Sequence, residues 1–295
     1  MSKSTSKYIA GILAIVFITI SGQTTHAAVS TNGGQQLDVP ANAQQSSASL
    51  NWSGYVAGGT NTTNQYTSVT GTWTVPAVAA SGTDSADATW VGIGGVSSRD
   101  LVQTGTQAIV QDGSVTYSAW IETLPGFSKT LSLPVHVGDS ITATLTEESP
   151  GEWLVTIDNN TTNKHYSDTV AYNSSYSSAE WVEEMVTNSD GTFRPLDSFG
   201  TVTITNAAAT VNGVSKNLSE LAATPLQMLN RANQPLATAS AVGSDTGGFS
   251  VTRSAAVAMP KVNTVMSIRR HRVYSTGTSY YSIAGIPFTI SIIRM

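Results

Sequence analysis

Short segments with alternating apolar and polar residues recur along most of the chain, and they predict β-strands. Residues 68–75 place Val69, Trp73 and Val75 on one face, because successive side chains of a strand point to opposite faces. Similar alternation occurs at 141–146, 152–157 and 201–205. No long stretch has a convincing helical period, and the only helical candidate is the short segment 218–223.

Turn-forming residues separate these segments. They are Gly-Asp at 138–139, Asp-Asn-Asn at 158–160 and Asn-Gly at 212–213. Such sequences favour tight connections between strands. Many short strands joined by turns are typical of a sandwich of antiparallel sheets. We therefore predict an all-β protein with an antiparallel β-sandwich.

Composition agrees with this class. The 295 residues are 40% hydrophobic and only 11% charged, which suits one large domain or two small ones with ample core. Ser, Thr, Asn and Gly are abundant and Lys and Glu are scarce, as in all-β extracellular proteins. The absence of cysteine excludes disulfides and thiolate chemistry, so stability must come from the core.

The N-terminus has the pattern of a secretory signal. Lys3 and Lys7 flank an apolar run at 8–20, and Thr-His-Ala at 25–27 offers a cleavage site of small residues. An uncleaved membrane anchor is the alternative, but the run is shorter than the roughly 20 apolar residues that span a bilayer. We therefore predict a signal peptide at 1–27 and a secreted protein.

The rest of the chain divides by composition. Residues 28–49 are polar and of low complexity, which predicts a flexible lead or a short pro-segment. The domain proper is expected at 50–254. An extension at 255–295 is basic and apolar and contains no acidic residue, and its role stays open.

Charge narrows the possible partners. Residues 28–254 contain seven basic residues and all 19 acidic ones, a net charge of −12. Such a domain repels nucleic acid and anionic lipid. We expect a monomer without nucleic-acid or membrane contacts, and one that loses much of its self-repulsion in acid.

Three carboxylates stand within the strand-like segment 179–186. In a strand Glu180 and Glu184 share one face, and Glu183 points to the other. A solvated strand face is an ordinary explanation for such a pair. Other parts of the chain favour a functional one.

Six segments resemble, in order and approximate spacing, those of the glutamic peptidases, the eqolisin family. They are Asn-Trp-Ser-Gly-Tyr at 51–55, Trp-Thr-Val-Pro at 73–76, Trp-Val-Gly-Ile-Gly-Gly at 90–95, Leu-Val-Gln-Thr-Gly at 101–105, Tyr-Ser-Ala-Trp-Ile-Glu at 117–122 and Ala-Glu-Trp-Val-Glu-Glu at 179–184. The resemblance covers about 50–254. It implies a concanavalin-like sandwich of two large curved sheets, with a glutamine and a glutamate meeting on the concave face.

The resemblance also implies a set of site residues. The family glutamine falls on Gln103 and the family glutamate on Glu184, while Trp90, Trp120 and Glu122 match positions that line or support the substrate cleft. It further implies a secreted acid endopeptidase that acts on proteins or peptides without a cofactor or metal.

The residue types suit peptide hydrolysis. That reaction needs a base that takes a proton from the attacking water and a donor that stabilises the oxyanion. Glu184 can be the base and later return the proton to the leaving amine. Gln103 can donate through its side-chain NH2, and its carbonyl can help to hold the water. Because an amide is not titrated in acid, Gln103 would keep its donor in an enzyme that works at acidic pH.

Some positions depart from the family pattern. Gly94 stands where some members carry an aspartate. The acidic residue expected shortly after the Gln-Thr-Gly motif is also absent, near Gln107. Substrate preference and pH optimum therefore stay open. Glu183 stands where the family has an apolar residue. A β-bulge would turn Glu183 rather than Glu184 toward the cleft.

Other kinds of site have weaker support. His136 and His165 lie in contexts that favour structural or surface roles, and Asp84 with Asp87 fits a solvated loop better than a calcium site. A glycoside hydrolase would use Glu180 and Glu184 if their carboxyl groups lie roughly 5 to 9.5 Å apart.

A binding module is a third possibility. It would present Trp52, Trp90 and Trp120 as a sugar-stacking or adhesive surface. The role of Gln103 separates these alternatives, because only the peptidase requires its amide beside Glu184.

Overall fold

The computed structural model describes residues 47–59, 63–80, 82–188, 190–243 and 247–255 in full, and the backbone of 279–283 and 286–290. The predicted signal peptide and residues 28–46 of the predicted lead lie outside these ranges. The chain divides into two units, Met1–Ala256 and Val257–Met295. The first unit contains every predicted site residue.

Strands are the main regular elements in the described part of the first unit. The first eight are β1 (Ser47–Ser49), β2 (Trp52–Gly58), β3 (Tyr66–Thr74), β4 (Ser85–Gly94), β5 (Leu101–Gln111), β6 (Ser114–Thr123), β7 (Lys129–Thr130) and β8 (Ser140–Ser149). The next eight are β9 (Glu152–Asn159), β10 (Lys164–Ala171), β11 (Ser178–Glu184), β12 (Thr201–Val211), β13 (Val214–Asn217), β14 (Ala223–Leu229), β15 (Pro235–Ala239) and β16 (Phe249–Arg253). The predicted helical candidate is a single 3-10 turn, Leu218–Glu220.

The second unit contains an antiparallel hairpin of β17 (Ser279–Ile283) and β18 (Ile286–Ile290). This hairpin lies within the predicted C-terminal extension. Within the described ranges of the chain, no helix has the length and apolar character needed to cross a membrane.

The strands of the first unit form one hydrogen-bonded ladder in the order β10-β9-β8-β3-β12-β16-β15-β14-β2-β11-β4-β5-β6-β7. Its pairs are antiparallel, whereas β1 joins β14 in parallel. Residues 47–49, the last three of the predicted lead, thus belong to the folded sheet.

The ladder folds over so that its two halves pack face to face. Trp181 Nε1 on β11 donates to the Thr70 carbonyl on β3 at 2.7 Å. Trp73 Nε1 on β3 donates to Thr106 Oγ1 on β5 at 2.9 Å. Between the two layers lies an apolar core whose fully buried members include Trp73, Trp153, Trp181, Ile141, Leu145 and Ile204. The predicted antiparallel β-sandwich is therefore confirmed.

A second apolar cluster covers the opposite surface of one layer. We call this surface the site face; it belongs to β2, β11, β4, β5 and β6. Its buried apolar residues include Trp52, Val56, Ala88, Trp90, Leu101, Trp120 and Val182. The alternation of side chains along each strand sends neighbouring residues either into the core or onto this face.

Candidate active site

Strand register brings the predicted site residues onto the site face. Glu184 on β11 is paired with Trp52 on β2 and with Ala88 on β4. Gln103 on β5 is paired with Glu122 on β6. Glu184, Gln103 and Glu122 therefore project from one side of one sheet.

The Glu184 carboxyl is buried, with 5% of the residue exposed, and each of its oxygens accepts one hydrogen bond. Asn51 Nδ2 donates to Oε1 at 3.0 Å, and Trp90 Nε1 donates to Oε2 at 2.8 Å. Trp52 packs edge-on against Trp90, with 4.8 Å between ring centroids. The carboxyl is thus held in one orientation by two donors.

Burial is the main influence on the acidity of this carboxyl. It raises the pKa of Glu184 from 4.5 to about 7, and the N–H groups of Trp52, Trp90 and Asn51 act in the opposite direction. Trp52 Nε1 completes no hydrogen bond, so its N–H lowers the pKa of Glu184 only as a nearby dipole. Near neutral pH, Glu184 can therefore both accept and release a proton.

The Gln103 amide is engaged on one side only. Its Nε2 donates to Glu122 Oε2 at 2.6 Å, while its buried Oε1 has no hydrogen-bond partner. An amide nitrogen carries two hydrogens, so one N–H and the carbonyl oxygen remain for other groups. No hydrogen bond joins Gln103 directly to Glu184 in this part of the structure.

Glu122 interacts with both Gln103 and Glu184, through a hydrogen bond with the first and through charge with the second. Burial and the charge of Glu184 raise the pKa of Glu122 to about 9, against the lowering effect of its hydrogen bonds with Gln103 and Ser128. The Glu122 carboxyl is 1% exposed. A neutral Glu122 still accepts the hydrogen bond that orients the Gln103 amide.

Two glycines allow the strands to approach closely around Gln103. A Cβ at Gly105, which ends the Gln-Thr-Gly motif, would lie 2.1 Å from the Thr89 carbonyl oxygen. A Cβ at Gly92 would lie 2.8 Å from the Trp90 ring and 3.3 Å from the Gln103 Cβ. A larger residue at either position would displace Trp90, which bonds to Glu184, or Gln103, which bonds to Glu122.

Comparison with known proteins agrees with this geometry. The family model described as "Peptidase A4 family" matches residues 50–252. The chain belongs to this family. It is therefore a member of a family of peptide-bond hydrolases, and the predicted resemblance to the glutamic peptidases is confirmed.

Individual relatives place this A4 family member among the glutamic peptidases. Aspergillopepsin-2 from Aspergillus niger is 32% identical over 190 residues, covering 56% of this chain and 66% of that protein. Scytalidopepsin B from Scytalidium lignicola is 32% identical over 206 residues, covering 64% of this chain and 75% of that protein. The crystal structure of scytalido-glutamic peptidase with a transition state analog inhibitor matches with a TM-score of 0.59 and 29% identity, over 70% of this chain and 98% of that one.

The structure of this A4 family member also shows where Glu180 and Glu183, the other carboxylates of β11, lie. The strand pairs regularly with β2 and β4 from Ala179 to Glu184. Glu183 lies on the core side, where Thr89 Oγ1 donates to its Oε2 at 2.7 Å. No bulge exchanges Glu183 with Glu184 in this strand.

Glu180 shares the site face with Glu184 but is separated from it along the strand. Four residues of extended chain span about 13 Å between Cα atoms. Both Glu180 oxygens are buried without a hydrogen-bond partner, and Glu184 is held by Asn51 and Trp90. This spacing does not favour the close carboxyl pair that glycoside hydrolysis needs.

The remaining sequence candidates do not join the site. His136 and His165 are exposed and lie beside Asp139 and Asp158. Asp84 and Asp87 were expected in a solvated loop; Asp84 is exposed, whereas Asp87 is buried on β4, so that expectation is wrong for Asp87. Within the described ranges, no group of three or more Asp, Glu, His or Cys side chains is arranged to hold a metal ion.

Sequence reasoning missed the roles of two residues. Asn51 appeared only within the motif at 51–55, and Trp52 appeared there and in the possible binding surface, yet both act on the Glu184 carboxyl. Their position at the start of a strand gave no sign of this, because their partner is more than 130 residues away. Trp120 is 1% exposed, and its Nε1 has no hydrogen-bond partner.

Proposed function

We propose that the protein is a secreted endopeptidase that hydrolyses peptide bonds in proteins, with Glu184 as general base and acid and Gln103 as oxyanion donor. The observation that carries this proposal is the arrangement on the site face. A buried carboxyl is fixed by one donor on each oxygen, and a buried amide on the same sheet keeps one N–H and its carbonyl oxygen unengaged.

Glu184 moves the proton in this mechanism. Its ionised carboxylate takes a proton from water as the water oxygen attacks the peptide carbonyl carbon. The protonated carboxyl then donates that proton to the leaving nitrogen, the C–N bond breaks, and an acid and an amine are released. Asn51 and Trp90 hold the carboxyl throughout without exchanging protons.

Gln103 stabilises the charge that forms on the substrate. Its unengaged N–H donates to the developing oxyanion, and its Oε1 accepts from the attacking water. Glu122 orients this amide through the 2.6 Å hydrogen bond to Nε2. Trp90, Trp120 and Glu122 support the substrate site, as the family resemblance implies.

The relatives support proteins or peptides as the substrate class. The solved relative holds a transition state analog inhibitor, and the curated relatives are named as pepsins. Secretion is supported by the signal pattern at 1–27. Activity in acid is an expectation from the family, whereas the raised pKa of Glu184, about 7, predicts that its ionised form is lost in acid; the pH–rate profile decides between the two.

Substitution of the two central residues tests the proposal. Glu184→Gln keeps the size of the side chain and removes the base, so hydrolysis of denatured protein should fall to background while folding persists. Gln103→Ala should reduce turnover on the order of 100- to 1000-fold, as is typical for loss of one oxyanion donor. Glu183→Gln, on the core side of the same strand, is the matched control and should keep most activity.

The pH profile of the native protein accompanies this test. If the free enzyme reacts through ionised Glu184, kcat/KM should fall as the pH drops below about 7. Full activity of Gln103→Ala on protein, with loss of activity on polysaccharide in Glu180→Gln, would replace the peptidase by the glycosidase.

A further inference from the structure

Asn51 contacts the Glu184 carboxyl through its side chain and the residue after Glu184 through its backbone. It precedes β2 and is buried, and its Nδ2 donates to Glu184 Oε1 at 3.0 Å. Its carbonyl accepts a hydrogen bond of 2.8 Å from the backbone N–H of Met185. The chain segment at Asn51 is therefore fixed against the end of β11.

The orientation of the Asn51 amide is set by Ser49, the last residue of β1. Ser49 Oγ accepts from the backbone N–H groups of Asn51 and Trp52, at 3.3 and 3.1 Å. The hydroxyl hydrogen is left to donate to Asn51 Oδ1, at 3.4 Å. With its oxygen toward Ser49, the amide must turn its NH2 group toward Glu184.

The donor favours the charged form of its partner. A hydrogen bond to a carboxylate stabilises ionisation, whereas burial opposes it. The Asn51 amide accordingly lowers the pKa of Glu184, although burial has the larger effect and raises it. Trp90 holds the other oxygen, so removal of Asn51 leaves Oε1 without its donor.

We propose that Asn51 is a positioning residue for Glu184, which fixes the carboxyl for attack by water and stabilises its ionised form, and that Ser49 keeps the Asn51 amide turned the right way. This inference rests on the proposed role of Glu184 as the base. Asn51 neither gives nor takes a proton. Ser49, which lies within the predicted lead, and Asn51, just after it, thereby become part of the catalytic apparatus.

The test compares Asn51→Leu with the native full-length protein. Loss of a hydrogen bond to a charged group should reduce kcat about 10- to 100-fold, with KM nearly unchanged. The acidic limb of the kcat/KM profile should move to higher pH, because the ionised carboxylate has lost a donor. Asn159→Leu is the matched control.

The control residue makes an equivalent contact elsewhere in the fold. Asn159 is fully buried on β9, and its Nδ2 donates to Asp139 Oδ2 at 2.8 Å. Its loss should lower stability without moving the acidic limb. A purely structural role for Asn51 would make the two variants behave alike, and that result would overturn the proposal.

A second readout does not depend on turnover. The carboxyl carbon of Glu184, followed by 13C NMR through a pH titration, should titrate at higher pH in Asn51→Leu than in the native protein. Ser49→Ala, a milder change, should give a smaller shift in the same direction and serves if Asn51→Leu does not fold. An unchanged titration overturns the role of Asn51 alone, whereas an active Glu184→Gln variant would refute the proposed function on which that role rests.

Discussion

Three buried carboxyl groups on the core side of β11 should make the protein less stable at neutral pH than in acid. Asp87 on β4, Glu183 on β11 and Asp197 are each 5% exposed or less. A bridge between Ala86 and Leu196 brings the segment carrying Asp197 alongside β4. Three separate parts of the chain thus contribute an acid to the interior between the sheets.

These acids have few partners. Thr89 Oγ1 donates to Glu183 at 2.7 Å, and the Ala108 N–H donates to Asp87 at 3.3 Å. Oε1 of Glu183 and both oxygens of Asp197 accept from no side chain outside the cluster, whereas the Asp87 carboxyl hydrogen-bonds to both groups. The charged groups that act on this cluster are Glu184, from the opposite face of β11, and Arg253, which donates to the backbone carbonyl of Asp197.

The sign of the effect follows from the direction of the pKa shifts. Burial raises the pKa of Glu183 from 4.5 to about 8, and burial with the charge of Asp87 raises the pKa of Asp197 to about 9. Burial also raises the pKa of Asp87 well above its ordinary value. The folded protein therefore binds more protons than the unfolded chain across this interval. The contribution of these groups to the free energy of unfolding is fully present below about pH 4 and is lost as the pH rises through about 8.

The magnitude can be worked out for Glu183. A rise from 4.5 to about 8, at about 1.4 kcal/mol for each pH unit, corresponds to a loss on the order of 5 kcal/mol. This is an upper value, because water that enters on ionisation reduces the penalty. It is comparable to the whole unfolding free energy of many domains, roughly 5 to 15 kcal/mol.

Glu183→Gln tests this reasoning, because glutamine keeps the size of the side chain and can still accept from Thr89. Denaturant unfolding followed by tryptophan fluorescence, between about pH 4 and pH 8, gives the free energy at each pH. A Glu184→Gln background prevents self-digestion. The decline in stability with pH should shrink by several kcal/mol in the Glu183→Gln variant.

Glu152→Gln, an exposed glutamate on β9, is the control and should leave the decline unchanged. The reasoning would be refuted if Glu183→Gln lost stability with pH as steeply as its parent.

Two further predictions concern the site. Glu122→Gln keeps an acceptor for the Gln103 amide and should retain activity within about tenfold, whereas Glu122→Leu should lose about 10- to 100-fold in kcat. Equal activity of the two variants on a peptide substrate would contradict a positioning role for Glu122. Hydrolysis of denatured protein should persist with a chelator and with reagents that trap serine or cysteine nucleophiles. Complete inhibition by the chelator would exclude a metal-independent reaction.

Local sequence determined which face of each strand every site residue occupies. The two-residue period of a strand places Glu180 with Glu184 and turns Glu183 away, and the regular pairing of β11 keeps that order. The resemblance to the glutamic peptidases, rather than the local pattern, implied that Gln103, Glu122 and Trp90 belong to one site. Only the face that each side chain occupies depends on residues close together in the chain.

Tertiary structure decided the partners of those side chains. Asn51 reaches Glu184 across 133 residues of sequence, and the Gln103 amide bonds to Glu122 rather than to Glu184. Strand pairing is non-local, so alternation within a segment cannot show which strand lies beside it or in what register.

The acidity of the buried carboxyls was equally inaccessible to sequence reasoning. Glu183 occupies an interior position between the sheets together with Asp87 and Asp197, which belong to other segments of the chain. A pKa depends on burial, nearby charges and hydrogen bonds, and all three arise only when distant segments pack together. The sequence by itself therefore determined the residue types and their faces, and the packing of the two layers determined their protonation.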